Sequence, residues 1–283
     1  MLPTHAGLQV LTRRSRRAAS SAAEMAAWEH ARVAGRTALP ELDPSAVDSA
    51  AWLAAWRLTH YLDRADLFVF LSRSRGWVRR HVDVVGTWPA PGPCLAVSAH
   101  WGAGLWALDL LRRAGHRPRF LARRPGVDPD RMHAAYVRLR ASAVARATGA
   151  PLVYTEGASS EIARSWADGG TIVGLFDAPA AEGRNLVRVP FGNSHLRLAR
   201  GLARLACEHR IRVFEFAGGI DRVTARRTIT IGAARVWDDE EALARHWASE
   251  LDRLLRNDSA AWHLWPYAAE LVDPSEDQRA AST

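Results

Sequence analysis

Two ionisable side chains stand directly after apolar, strand-like runs: His100 behind Leu95-Ala96-Val97-Ser98-Ala99, and Asp177 behind Thr171-Ile172-Val173-Gly174-Leu175-Phe176. In sheets with parallel strands, ligands gather at the carboxyl ends. A histidine paired with a carboxylate is the arrangement that deprotonates a hydroxyl, the acid orienting the ring and stabilising its charged form. The small residues Gly102 and Gly104 after His100 would let a substrate approach the backbone closely. The competing reading is that His100 merely caps a strand within a polar network.

Placing such a pair requires alternating elements, and the pattern supplies them. Residues 21–35 and 47–80 read as helices, with Pro40 and Pro44 punctuating the gap. Beyond Gly76, short apolar runs at 93–99, 118–122, 151–154, 171–176, 186–190, 211–217 and 226–232 read as strands. Between them 102–114, 130–147, 158–168 and 194–209 read as helices, the first ending at Gly115. A last helix near 239–256 opens on Asp239, Glu240 and Glu241 and closes on Arg253 and Arg256, as the helix dipole prefers. The expected fold class is α/β, with a mixed, largely parallel sheet covered by helices on both faces. The expected organisation is a helical N-terminal extension over 1–80, an α/β domain over 81–273 and a flexible tail over 274–283.

Composition narrows the partners. The chain has 283 residues, 48% of them hydrophobic, which is ample for a buried core. Its formal net charge is +8, and all 38 basic residues are arginine. Arginine suits phosphate and carboxylate through its planar fork, which fits anionic lipid or an acidic carrier protein. A nucleic-acid partner finds support only in the charge, because no helix-turn-helix, zinc or stacking signature is present. Cys94 and Cys207 imply neither a disulfide framework nor a metal site, and the expected compartment is the reducing cytoplasm. His60, His81, His116 and His133 lack metal-ligand spacing and read as surface or hydrogen-bonded histidines. No run of eighteen apolar residues occurs, so peripheral membrane contact is expected instead of a span. The arginines at 13, 14, 16 and 17 read as a solvated or disordered patch suited to anionic lipid.

Several segments in order resemble a known family. A strand runs into Ser98-Ala99-His100-Trp101-Gly102, followed by Arg123-Arg124-Pro125 and then the helical pair Arg138-Leu139-Arg140. Later come Gly169-Gly170, the strand ending at Asp177, and Val187-Arg188-Val189-Pro190-Phe191-Gly192. Trp262-His263-Leu264-Trp265-Pro266-Tyr267 occupies the place of a closing aromatic-basic motif, without its arginines. In this order the chain resembles the lysophospholipid acyltransferase superfamily. Within it, the likeness is to the bacterial lipid A (late) acyltransferase and phosphatidylinositol mannoside acyltransferase branch, over roughly its last two hundred residues.

The resemblance implies a glycerolipid acyltransferase-like fold and transfer of a fatty acyl group from an acyl-carrier-protein or coenzyme A thioester. The acceptor would be a hydroxyl or amine of a lipid, glycolipid or pathway-specific molecule, at the inner face of the cell membrane. His100 would be general base, with no covalent intermediate, metal or cofactor. Backbone amides around Trp101 to Ala103, or an arginine, would steady the oxyanion. Arg124, Arg138 and Arg140, with Trp101 and Gly102, would bind substrate, and Asp177 would position the acceptor or an arginine. The sequence departs from the family at Leu105, where its H-x-x-x-x-D/E motif has an acid. Asp109 lies nine residues beyond His100, on the opposite face of a helix. A substitute must therefore arrive through the fold, from Asp177, Glu156, Glu161 or Glu182; otherwise the chain is an impaired homologue that keeps lipid or acyl-carrier binding.

Overall fold

Apolar runs bounded by glycine and proline become a main mixed sheet and a smaller antiparallel one, seen in a computed structural model that describes residues 5–17, 21–37, 49–72, 75–124, 131–179 and 186–273. The strands are β1 (Val82–Val85), β2 (Cys94–Ser98), β3 (Pro118–Ala122), β4 (Val153–Tyr154), β5 (Thr171–Leu175), β6 (Leu186–Phe191), β7 (Ser194–Ala199), β8 (Arg212–Ile220), β9 (Arg227–Ile231), β10 (Arg235–Val236) and β11 (Val272–Asp273). The main sheet has the order β1-β9-β8-β2-β5-β3-β4, with β10 added to β8. Its pairings are parallel except β8 with β9 and β10 with β8. A smaller antiparallel sheet runs β11-β7-β6.

β2 is central and every one of its residues is buried, as a parallel strand covered on both faces requires. Leu95 and Val97 point into one core layer with Ile172 and Val213. Cys94 and Ala96 point into the other with Val173 and Phe214. The first layer is covered by α9 (Glu240–Asp258), whose Leu243, Trp247, Leu251 and Leu254 recur at four-residue or three-residue steps and are buried. Asp239 caps it by accepting from the amides of Glu241 and Ala242 at 2.9 and 3.3 Å. The second layer is covered by α5 (Leu105–Arg113) and α6 (Arg131–Thr148). Each fully buried leucine or valine contributes about 1.5–3 kcal/mol.

Four further helices belong to the N-terminal part: α1 (His5–Arg17), α2 (Ala22–Thr37), α3 (Ser49–Ser72) and α4 (Arg75–His81). They share the cores of the α/β part, since Trp28, Trp52 and Trp56 lie in the same layer as Leu95 and α9. α3 carries Arg57, His60, Asp63 and Asp66 at three-residue spacing. At about 100° per residue each step of three turns the side chain back by about 60°, so the four fan over half the helix. Each meets a different element: Arg57 binds Glu24 of α2 (2.8 Å), His60 meets His263, Asp63 binds Arg140 of α6 (2.6 Å), and Asp66 pairs with Arg227 of β9.

Several boundaries differ from the sequence reading. Residues 194–209 form a strand and a helix, β7 followed by α8 (Arg200–Glu208), instead of one helix. Ser194, Leu196 and Leu198 alternate with more open residues at the two-residue period of a strand. The 47–80 segment comprises α3 and α4. The arginines from 13 to 17 lie on α1, exposed but on an ordered helix anchored by Leu8, which packs with Leu58 and Leu62. The edge strand β1 and the two-residue strands β10 and β11 have no clear sequence signal. The segment 274–283 lies outside the described residues. No described helix is long and apolar enough to cross a membrane.

Candidate active site

β2 and β5 are neighbours in parallel register, Ser98 beside Leu175, and the amide of Phe176 donates to the Ser98 carbonyl (3.0 Å). Two residues further on, the same register sets His100 beside Asp177. The His100 Nδ1 lies 2.8 Å from Asp177 Oδ1. The peptide N–H of His100 donates to both carboxylate oxygens (3.0 and 2.8 Å), and the Trp262 indole Nε1 donates to Oδ2 (2.8 Å). Asp177 is 0% exposed, whereas the His100 side chain is 30% exposed. A buried carboxylate surrounded by obligate donors acts as acceptor, so the Nδ1 proton of His100 points at Asp177 and Nε2 is left as the basic atom.

The segment after His100 is locked by backbone. The amides of Gly102 and Ala103 donate to the carbonyls of Ala261 (3.0 Å) and Gly218 (2.7 Å), and His263 N–H donates to the His100 carbonyl (2.9 Å). Gly102 has φ +52°, and a Cβ there would lie 2.0 Å from the Gly218 carbonyl oxygen. Gly102→Ala is therefore expected to destabilise the fold by about 2–4 kcal/mol, read as a lower urea midpoint. A change under about 0.5 kcal/mol, the usual range for an unremarkable surface site, would contradict the close packing.

This geometry corrects two expectations. Gly102 does not open the backbone to substrate, because Gly218 fills the space, and Trp101 is buried with its backbone bridged to Trp262. The amides of Gly102 and Ala103 are spent on protein carbonyls, so they are not free for an oxyanion. Gly104, by contrast, faces open space.

Of the proposed substitute acids, Asp177 reaches His100. Glu161 pairs with Arg119, Glu156 is exposed, and Glu182 lies outside the described residues. Leu105 is buried at the start of α5, and Asp109 binds Arg112 and Arg113 of its own helix. The three arginines do not join the pair. Arg140 is committed to Asp63 and hydrogen-bonded to the Tyr136 hydroxyl (3.2 Å); Arg124 is exposed, its guanidinium 4.7 Å from the centre of the Tyr154 ring. Arg138 is exposed on α6, and Asp177 has taken a histidine instead of an arginine as its partner. Pro125 lies outside the described residues, as does the side chain of His133.

A second histidine pair, absent from the sequence reading, adjoins this loop. His263 Nε2 donates to the Gly102 carbonyl (2.8 Å), which leaves its Nδ1 as acceptor for His60 Nδ1 at 3.2 Å. His60 Nε2 is then a buried nitrogen with no hydrogen-bond partner among the described residues. Burial, reinforced by His263, pushes His60 down to about 2; burial also lowers His263. A histidine depressed in the folded state is neutral there but takes up a proton when unfolded below about pH 6.5. Its stabilisation is present above that pH and is lost as the pH falls through it, by up to about 1.4 kcal/mol per pH unit for one such group. Urea midpoints of His60→Phe are expected to fall less steeply than wild type between about pH 6.5 and 4.5. Parallel curves would remove His60 as the source.

Among the described residues no three His, Cys, Asp or Glu side chains converge as a metal site requires. The sequence matches no protein-family model and no curated protein.

Proposed function

We propose that the chain is an acyltransferase of the lysophospholipid acyltransferase type, with a glycerolipid acyltransferase-like fold. It moves a fatty acyl group from an acyl-carrier-protein or coenzyme A thioester to a hydroxyl, or an amine, of a lipid or glycolipid acceptor. The observation that carries this reading is the 2.8 Å contact between His100 Nδ1 and the fully buried Asp177, which leaves Nε2 of a partly exposed ring as base. On this reading the acid that the sequence lacks at Leu105 is supplied from the end of the neighbouring strand.

In this mechanism Nε2 takes the acceptor hydroxyl proton as the oxygen attacks the thioester carbonyl. The tetrahedral intermediate then expels the thiolate, which recovers the proton from the imidazolium. Asp177 stabilises the imidazolium without taking its proton. In this reading the oxyanion is steadied by the amides that open α5, those of Leu105 and Trp106, in the place of the amides of Gly102 and Ala103; the Ala107 amide already donates to the Gly104 carbonyl (3.1 Å). The exposed arginines of α1 suit peripheral contact with anionic lipid at the inner membrane face, each worth about 1 kcal/mol near such a surface.

The test is transfer of a labelled acyl group from acyl-carrier protein or acyl-coenzyme A to a membrane lipid extract. Product that forms with wild type and disappears with His100→Ala supports the reading. Thioester binding that is equal in both proteins, with no product, would instead identify an impaired homologue that retains its ligand.

A further inference from the structure

Beneath α9, beside β8 and the end of β9, lies a cavity of about 220 Å³ to which the mechanism above assigns no role. Ala99, Phe176, Ala217 and Leu254 supply an apolar wall. Ala99 and Phe176 directly precede His100 and Asp177, so the cavity adjoins the pair through its own strands. Five charged side chains also line it. Glu215 and His246 form one pair (3.2 Å), Arg253 and Glu250 another (2.9 Å), and Arg235 has no carboxylate partner among the described residues.

Glu215 is the unexpected member. It sits on β8 opposite Val97 of β2, in the strand face whose neighbours Val213 and Ala217 are core residues. A largely buried carboxylate at a core-facing strand position costs stability unless it is paired, and here its partner, His246, faces a cavity. The Glu215 carboxylate, by hydrogen bond and then by charge, offsets burial and raises His246 above its ordinary range.

Both carboxylates are taken, Glu215 by His246 and Glu250 by Arg253, which leaves Arg235 as the cation at this half-apolar cavity with no carboxylate partner among the described residues. At about 30 Å³ per water, the volume is that of about seven waters, which suits a molecule of about six to eight non-hydrogen atoms. Pockets that combine an apolar wall with a few convergent polar groups are the usual form of small-molecule sites.

We propose that this cavity binds a small monoanionic amphiphile, a short-chain carboxylate. Its carboxylate bonds to the Arg235 fork and its hydrocarbon packs on Phe176, Ala217 and Leu254. Arginine meets a carboxylate with two parallel hydrogen bonds, which sets the ligand's direction.

The experiment is calorimetric titration of the full chain with hexanoate and with hexanamide, which keeps the shape and removes the charge. Hexanoate is expected to bind at least about tenfold more tightly than hexanamide, and Arg235→Gln to erase that difference. Arg235 is exposed on the two-residue strand β10, so its replacement leaves the core intact. In NMR spectra, the imidazole signal absent from His246→Gln should shift with hexanoate in wild type. His100→Ala should bind hexanoate as wild type does, which separates this site from the acyl-transfer reading. Equal affinity for the two probes would show a plain apolar slot and overturn the proposal. Absence of binding, or a His246 signal that does not move, would overturn it too.

Discussion

Replacing Asp177 with asparagine is expected to lower the turnover of the proposed acyl transfer by about 10⁴-fold, the scale seen when the orienting acid of a comparable triad is changed to its amide. The carboxylate here accepts from three N–H groups: the His100 ring, the His100 peptide and the Trp262 indole. An amide has one accepting oxygen and one donating nitrogen. Turned one way, its NH₂ meets the Trp262 indole, donor against donor. Turned the other, it meets His100 Nδ1, moves the ring proton to Nε2 and leaves no base. Either orientation removes the charge that stabilises the imidazolium. Turnover should therefore fall in steady-state assays while the KM for the proposed thioester changes little, since the acid is fully buried. Activity within about tenfold of wild type would mean that His100 is not the base.

The second large effect concerns stability. Arg227 and Asp66 are both 0% exposed. Arg227 Nε donates to Asp66 Oδ2 (3.2 Å), a second guanidinium nitrogen reaches Oδ1, and a third donates to the Ala225 carbonyl. Trp106 Nε1 donates to the same carboxylate (2.8 Å), and the guanidinium stands 5.6 Å from the centre of the Trp77 ring. Asp66→Ala leaves an arginine charge in the core without its partner, at an expected cost of about 3–5 kcal/mol. The pair itself adds much less than that, because its attraction must offset the desolvation of two ions. Asp66→Leu combined with Arg227→Met should recover most of the loss in a denaturant double-mutant cycle. A loss from Asp66→Ala below about 1 kcal/mol would show that water reaches the guanidinium.

Much of the α/β architecture was legible because buried strands are written as short apolar runs and their helices end on glycine or charge. Cys94–Ser98 and Thr171–Leu175 have that form, and both lead to the residues of the candidate site. Strands that are short, exposed or at an edge carry no such mark: Val82–Val85 gains its place from β9, not from its own pattern. The segment 194–209 misled because Leu198, Leu202 and Leu205 fit a helix while Leu196 and Leu198 also fit a strand, and pairing with β6 decides. At the site, His100 and Asp177 could be named, but their contact depends on the register of two strands 77 residues apart. Trp262 and His263 could be assigned no role, since a tryptophan's partner is not encoded near it. The steps of three along α3 were readable as polar residues, whereas their partners come from four remote segments.

The bonds around Asp177 also carry an order in time. His100 and Asp177 both precede Trp262, the residue that completes the carboxylate's set of donors, and Ala261 and His263 supply the backbone that holds Gly102 and His100. A chain emerging from the ribosome therefore exposes the histidine and the acid well before the segment that fastens them. Until that segment follows and docks on α3 through the Trp52 and Trp56 indoles, the carboxylate has the His100 donors alone. The donor set of the carboxylate is therefore complete only once the segment carrying Trp262 has been made and has docked.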